Sequence, residues 1–159
     1  MCKYSGPMAY TSIEARQQLL DTVAEVIDEI GTALMDLGEA YELLDDQKAE
    51  ELEEHLFRPA QSAYGTAKRT HAQFAQRHEL PERRFESTAR GAPSHGAKGF
   101  LTEAVEAVSR ADGKLSSLQD SMLPVEVGDP ELRAGLQEVR QQLAVLPVGA
   151  RQLLRTFGR

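Results

Sequence analysis

Apolar residues return at alternating steps of three and four through the first third of the chain: Ile13, Leu20, Val23, Ile27, Ile30, Leu34, Leu37, Tyr41 and Leu44, with polar Arg16 at the one remaining seam position. A heptad seam of that length predicts a single helix over about 12–44. Thr11 followed by Glu14 adds the reciprocal side-chain arrangement that satisfies free amides where a helix begins, so residues 1–10 read as an N-terminal tail. Leu19, Val26, Ala33 and Ala40 widen the stripe on one side, and Ala24, Gly31 and Gly38 on the other. A stripe this broad suits burial against several helices rather than one.

The same period recurs three more times. Asp45 or Asp46 caps a second helix over about 46–78, whose apolar positions Ala49, Leu52, Leu56, Ala60, Ala63, Ala67 and Phe74 are smaller on average. Pro59 inside it removes a hydrogen bond and crowds the preceding turn, which predicts a kink. Residues 79–96, "ELPERRFESTARGAPSHG", break the pattern with two prolines and two glycines. They read as one long connection, with room for one short helical turn anchored by Phe85. A third helix over about 97–122 carries Leu101, Ala104, Val108, Ala111, Leu115, Leu118 and Met122, and stops at Pro124. Asp129 as cap and Pro130 at the first helical position then open a fourth helix over about 130–157, with a second kink expected at Pro147.

No segment alternates apolar and polar residues as a half-buried strand does, so the chain is expected to be all-α. Short turns between long amphipathic helices point to an antiparallel up-down-up-down four-helix bundle over residues 11–159, with the long connection between helices 2 and 3. A three-helix assembly with a separate C-terminal hairpin is the alternative. In the up-down-up-down arrangement Pro59 and Pro147 fall at about one level, and Gly31 comes to the same level when counted back from the end of the first helix. The expectation is a waist there, holding either a close crossing of kinked helices or a small apolar pocket around Gly31, Pro59 and Pro147.

Charge changes the picture more than composition does. Residues 1–57 hold 14 acids against Lys3, Arg16 and Lys48, whereas residues 58–114 hold ten basic residues against six acids. This reads as helix faces that attract one another within the fold. The overall charge of −7 opposes nucleic acid and anionic membranes as partners. One cysteine, Cys2, leaves no intramolecular disulfide to form, and no apolar run spans a bilayer or serves as a signal peptide. A cytoplasmic setting is expected.

Candidate chemistry is sparse. His95, Lys98 and Gly99 form an "HxxKG" pattern that resembles the core of histidine-containing phosphotransfer domains, which are also helical bundles. The resemblance covers those five residues; it implies His95 as phosphoryl carrier and Lys98 as its electrostatic partner. Gly91, Pro93, Gly96 and Gly99 around it also fit a helix entry capped by Ser94. There the free amides, with Arg90, His95 and Lys98, would form an anion site. His55, His71 and His78 lie along the second helix, but "EELEEH" lacks the Glu-x-x-His arrangement of di-iron bundles, so no metal or cofactor is implied. Arg69, Arg77, Arg83, Arg84 and Arg90, interleaved with Phe74 and Phe85, resemble a single-strand-binding surface diluted by Glu79, Glu82 and Glu86; a collar that docks an acidic helix is the simpler reading.

No nucleophile elbow, phosphate loop, CxxC or HExxH is present. The reading that remains is a non-catalytic helical protein acting by protein–protein binding or self-association. Met35 and Leu43, with Val145 and Val148, are the apolar residues off the seams that would supply an exposed patch.

Overall fold

The computed structural model describes the backbone of residues 2–86 and 96–158 and the side chains of residues 12–86 and 96–157. Among the described residues every regular element is helical. The first helix, α1 (Cys2–Glu42), takes in the stretch expected as a tail. With the turn before Thr11 helical, the amides that Thr11 and Glu14 are suited to cap already have carbonyl partners. Helix α1 ends in a tight turn in which Leu43 and Leu44 donate to Ala40 and Tyr41 carbonyls.

The second helical stretch is one rod with a defect. Asp45 caps α2 (Asp46–Leu52) by accepting from the Lys48 amide at 2.9 Å. The rod widens into a π-turn at Glu53–Phe57 and continues as α3 (Arg58–Arg77). Pro59 has no N–H to offer the His55 carbonyl, and the extra residue in the π-turn relieves the ring's clash with the preceding turn. The irregularity expected at Pro59 takes this form. At the far end Glu79 adopts a left-handed φ of 54° while the Leu80 amide reaches back to the Ala75 carbonyl at 2.8 Å, a helix stop made without glycine.

Beyond the connection lies α4 (Gly96–Asp120). A short α5 (Leu123–Val127) follows, entered through Met122 at φ 64° and left through Gly128 at φ 73°. The sequence pattern does not predict it. Asp129 caps α6 (Pro130–Ala144), accepting from the Leu132 amide at 2.9 Å. The fourth rod breaks at Val145, ahead of Pro147, and resumes as α7 (Leu146–Arg155) with a final 3-10 turn at Thr156–Gly158.

Side-chain pairings set the directions of the rods. Along α1 and α4, Glu29 meets Arg110, while Gln18 and Thr22 share a hollow with Ser117 and Ser121, so these two run antiparallel. Along α3 and α6, Arg77 meets Asp129, Thr70 faces Gly135 and His55 faces Gly149, again antiparallel. Asp112 with Arg140 and Gln119 with Gln137 make α4 and α6 antiparallel as well. The tight turn after α1 reverses the chain into α2, and α3 packs back against α1. Helices α3 and α4 therefore point the same way. This corrects the up-down-up-down expectation: heptad seams specify which face is buried but not which rod lies beside which. The end of α3 at Arg77 and the start of α4 at Gly96 therefore lie at opposite ends of the rods, the 25-residue α4 being roughly 37 Å long.

The core runs between the rods, with Leu20, Ile27, Ile30, Leu52, Phe74, Leu101, Leu115, Leu136 and Leu143 buried. Among the described side chains of α1 the buried positions begin at Leu19, and Ile13, although in phase with the seam, is 57% exposed. Helices α3 and α6 approach closely through small residues: a Cβ on Gly135 would overlap the Thr70 side chain. Residues 80–86 lie against α1 and α3, where Arg83 donates to Asp28 at 3.0 Å and Phe85 meets the His71 ring edge-on at 4.9 Å.

Candidate interaction groove

Helices α4 and α6 touch less extensively than α1 and α4 or α3 and α6, and a trough opens between them. Its volume is about 460 Å³, and Val105, Val108, Leu143, Ala144 and Pro147 supply its apolar lining. Heptad phase accounts for this. Val108 and Leu143 belong to the seams, whereas Val105 lies one position beyond Ala104 and keeps its side chain at the boundary. Val145 and Val148 extend the apolar surface one turn beyond Gln141 and Ala144, and are 51% and 48% exposed. Both lie off the seam that Leu143, Leu146 and Ala150 continue across the break, which puts them on the outer side of the rod.

A polar network closes one end of the trough. Arg140 donates from Nε to Asp112 at 2.9 Å and from a terminal nitrogen to Gln119 at 2.9 Å, and Gln119 reaches Gln137 at 3.3 Å. The hydrogen bond to Asp112 raises the Arg140 pKa further above its already high value, so this end carries a fixed, paired charge. The chemistry on offer is apolar contact bordered by hydrogen bonding. Among the described residues no three His, Cys, Asp or Glu side chains converge as a metal ligand set, and no helix is long and apolar enough to cross a membrane.

The residues singled out by sequence are placed unevenly. Arg90, Ser94 and His95 lie outside the described residues, so the phosphotransfer pattern and most of the anion site do too. Lys98 is exposed in the first turn of α4. Pro147 lines the trough between α4 and α6, whereas neither Gly31, buried in α1, nor Pro59 lines it. The level of Pro59 and Pro147 is instead a close crossing, where a Cβ on Gly149 would stand 3.1 Å from the His55 carbonyl oxygen and 3.2 Å from Leu56 Cδ2. Leu43 is 58% exposed at the α1–α2 turn and Met35 half-buried on α1, so they belong to another rod than Val145 and Val148.

The histidines and arginines hold the fold together. His78 Nε2 lies 2.9 Å from Asp129 Oδ2, and Arg77 grips both oxygens of that carboxylate at 2.9 Å. Burial alone would raise the Asp129 pKa; the Leu132 amide, His78 and Arg77 outweigh it and hold the group below the usual carboxylate range. Burial pushes the His71 pKa down, and the Arg83 charge adds to this. With Arg83 on Asp28 and Arg110 on Glu29, part of the basic middle of the chain docks on acidic α1.

No family model matches the chain, and neither a curated protein nor a solved structure does.

Proposed function

We propose that the protein is a non-catalytic, cytoplasmic helical bundle that acts by binding another protein chain, a second copy of itself included, through the trough between α4 and α6–α7. The observation that carries this reading is the pair Val145 and Val148, about half exposed and one helical turn beyond the trough residues Gln141 and Ala144. Large apolar side chains gathered beside a concave, apolar-lined surface are how a soluble protein offers area for burial against a partner. An amphipathic helix fits: its apolar face would lie on Val105, Pro147 and the two valines, and its polar edge would meet Asp112 and Arg140.

Light scattering on size-separated protein, with in-host photo-crosslinking from position 148, tests the reading. It expects either a dimer that Val145→Asp with Val148→Asp converts to monomer, or one dominant crosslinked partner that the same variant loses. A wild type that stays monomeric to about 1 mM, which excludes association stronger than about −4 kcal/mol, together with no discrete crosslink, overturns it. The phosphotransfer pattern at His95 has no geometry in the described residues to favour it and is not part of this reading.

A further inference from the structure

The opposite flank of α4 carries a different kind of surface. A hollow of about 550 Å³ lies between α1 and α4, lined by Gln18, Thr22, Arg110, Lys114, Ser117 and Ser121 together with Gly113 and two leucines. No Asp or Glu lines it, in a chain with 25 acids against 18 basic residues. Positions 110, 114, 117 and 121 fall on one face of α4, and the antiparallel register sets Gln18 and Thr22 opposite them.

Several donors there are unengaged. Arg110 gives its Nε to Glu29 at 2.6 Å, which leaves both terminal nitrogens. Lys114 is half-buried and makes no ion pair or hydrogen bond among the described residues, and the Ser117 hydroxyl has no partner there either. Thr22 and Ser121 instead donate to the Gln18 and Leu118 carbonyls. Where a Cβ would project from Gly113 there is open space, so the glycine leaves the hollow unobstructed. The nearby acids Asp21 and Glu25 line a separate hollow, on the α3 side of α1.

We infer that the hollow between α1 and α4 binds a phosphate-bearing small molecule. Arg110 and Lys114 pair with the phosphate oxygens, and Ser117 and Gln18 donate to the remaining ones. Two cations one helical turn apart with neutral donors in the next turn match a dianion with three terminal oxygens better than a single carboxylate. The volume admits more than a bare ion. A nucleic acid is disfavoured by the net charge of −7, which repels an extended polyanion, whereas a small anion is governed by the local field.

Amide chemical-shift titration with pyrophosphate tests this on the intact protein, with succinate as the carboxylate control. The expected result is a saturable shift confined to residues 18–22 and 110–121, weakened about tenfold by Lys114→Gln, the size of one charge-assisted hydrogen bond, and unchanged by Arg133→Gln at an exposed site on α6 that does not line the hollow. Lys114→Gln leaves the Arg110–Glu29 pair in place, and its melting curve verifies the fold. Absence of a saturable shift, equal binding by the Lys114 variant, or equal binding of succinate overturns the assignment.

Discussion

Gly135 and Thr70 are packed so closely that α6 and α3 meet without room for one further methyl group: a Cβ on Gly135 would lie 2.8 Å from Thr70 Cγ2 and closer still to its hydroxyl. Thr70 cannot easily swing away, because its hydroxyl donates to the Thr66 carbonyl at 2.8 Å. Gly135→Ala gains helix propensity but forces the two rods apart, and we expect a net loss of about 1–3 kcal/mol. Thr70→Ala in the same chain should recover part of it. A double-mutant cycle by urea denaturation measures the coupling; additive effects would mean that the two residues do not meet.

Removing the Asp129 carboxylate should cost more than removing an ordinary helix cap. It caps α6 and also receives Arg77 and His78 from the end of α3. Asp129→Ala loses the cap, worth about 1 kcal/mol, and leaves Arg77 with only exposed Glu131. A total of about 2–3 kcal/mol is expected, discounted from a fully buried pair because Arg77 is partly solvated. Asp129→Asn keeps the cap and should fall about midway. Equal losses for both variants would assign the whole effect to the lost charge, and no loss for Asp129→Asn would assign it to the cap.

Acid should weaken the fold in two stages. Neutral His71 is favoured in the folded chain, so its folded pKa lies below the unfolded value of about 6.5. The unfolded chain then binds more protons, and stability is full above that value and declines as pH falls toward the depressed folded one. Asp129, also with a lowered pKa, keeps its contribution until the pH drops below the ordinary carboxylate range. Urea midpoints at pH 8, 6 and 5 should fall for the wild type and stay flatter for His71→Leu. Identical slopes would remove His71 as the cause.

At the crossing of the second and fourth rods, Gly149→Ala would press a methyl group on the His55 carbonyl, a backbone atom held by the π-turn. A loss of about 1–2 kcal/mol is expected. Pro59→Ala returns an N–H to that carbonyl and permits an ordinary α-turn. Amide exchange then reports whether the amides of residues 55–60 become better protected in Pro59→Ala, as the π-turn account requires.

The rods themselves were legible because each rests on local chemistry. Asp45 and Asp129 cap where side-chain acceptors precede a polar first turn, and the seam positions Leu20, Val23, Ile27, Ile30 and Leu37 are buried as the period implies, whereas Tyr41 near the end of α1 is 41% exposed. Neighbour relations were not legible, since seam positions such as Ile27 or Leu115 say only that something apolar faces them. The short helix α5 was hidden by Pro124 and Gly128, which read as terminators, although proline in a first turn is equally a helix start. The trough was half visible: Val145 and Val148 stood off the seam, but its other wall, Val105 with Asp112, became apparent only once α4 was known to lie beside α6. The polar hollow was written as Arg110, Lys114, Ser117 and Ser121 at helical spacing, a pattern that solvated helix faces share.

That α3 and α4 point the same way also sets a timetable for synthesis. On the ribosome, α1 and α3 can meet as a hairpin early, yet the rod that α1 contacts most, α4, is not complete until Asp120 has emerged. The Arg110–Glu29 contact closes a loop of 81 residues, so the nascent hairpin waits with much of its apolar face uncovered. Folding should therefore be slower than in a helical protein assembled from successive neighbours, and chaperone capture should concentrate in the interval before α4 is released.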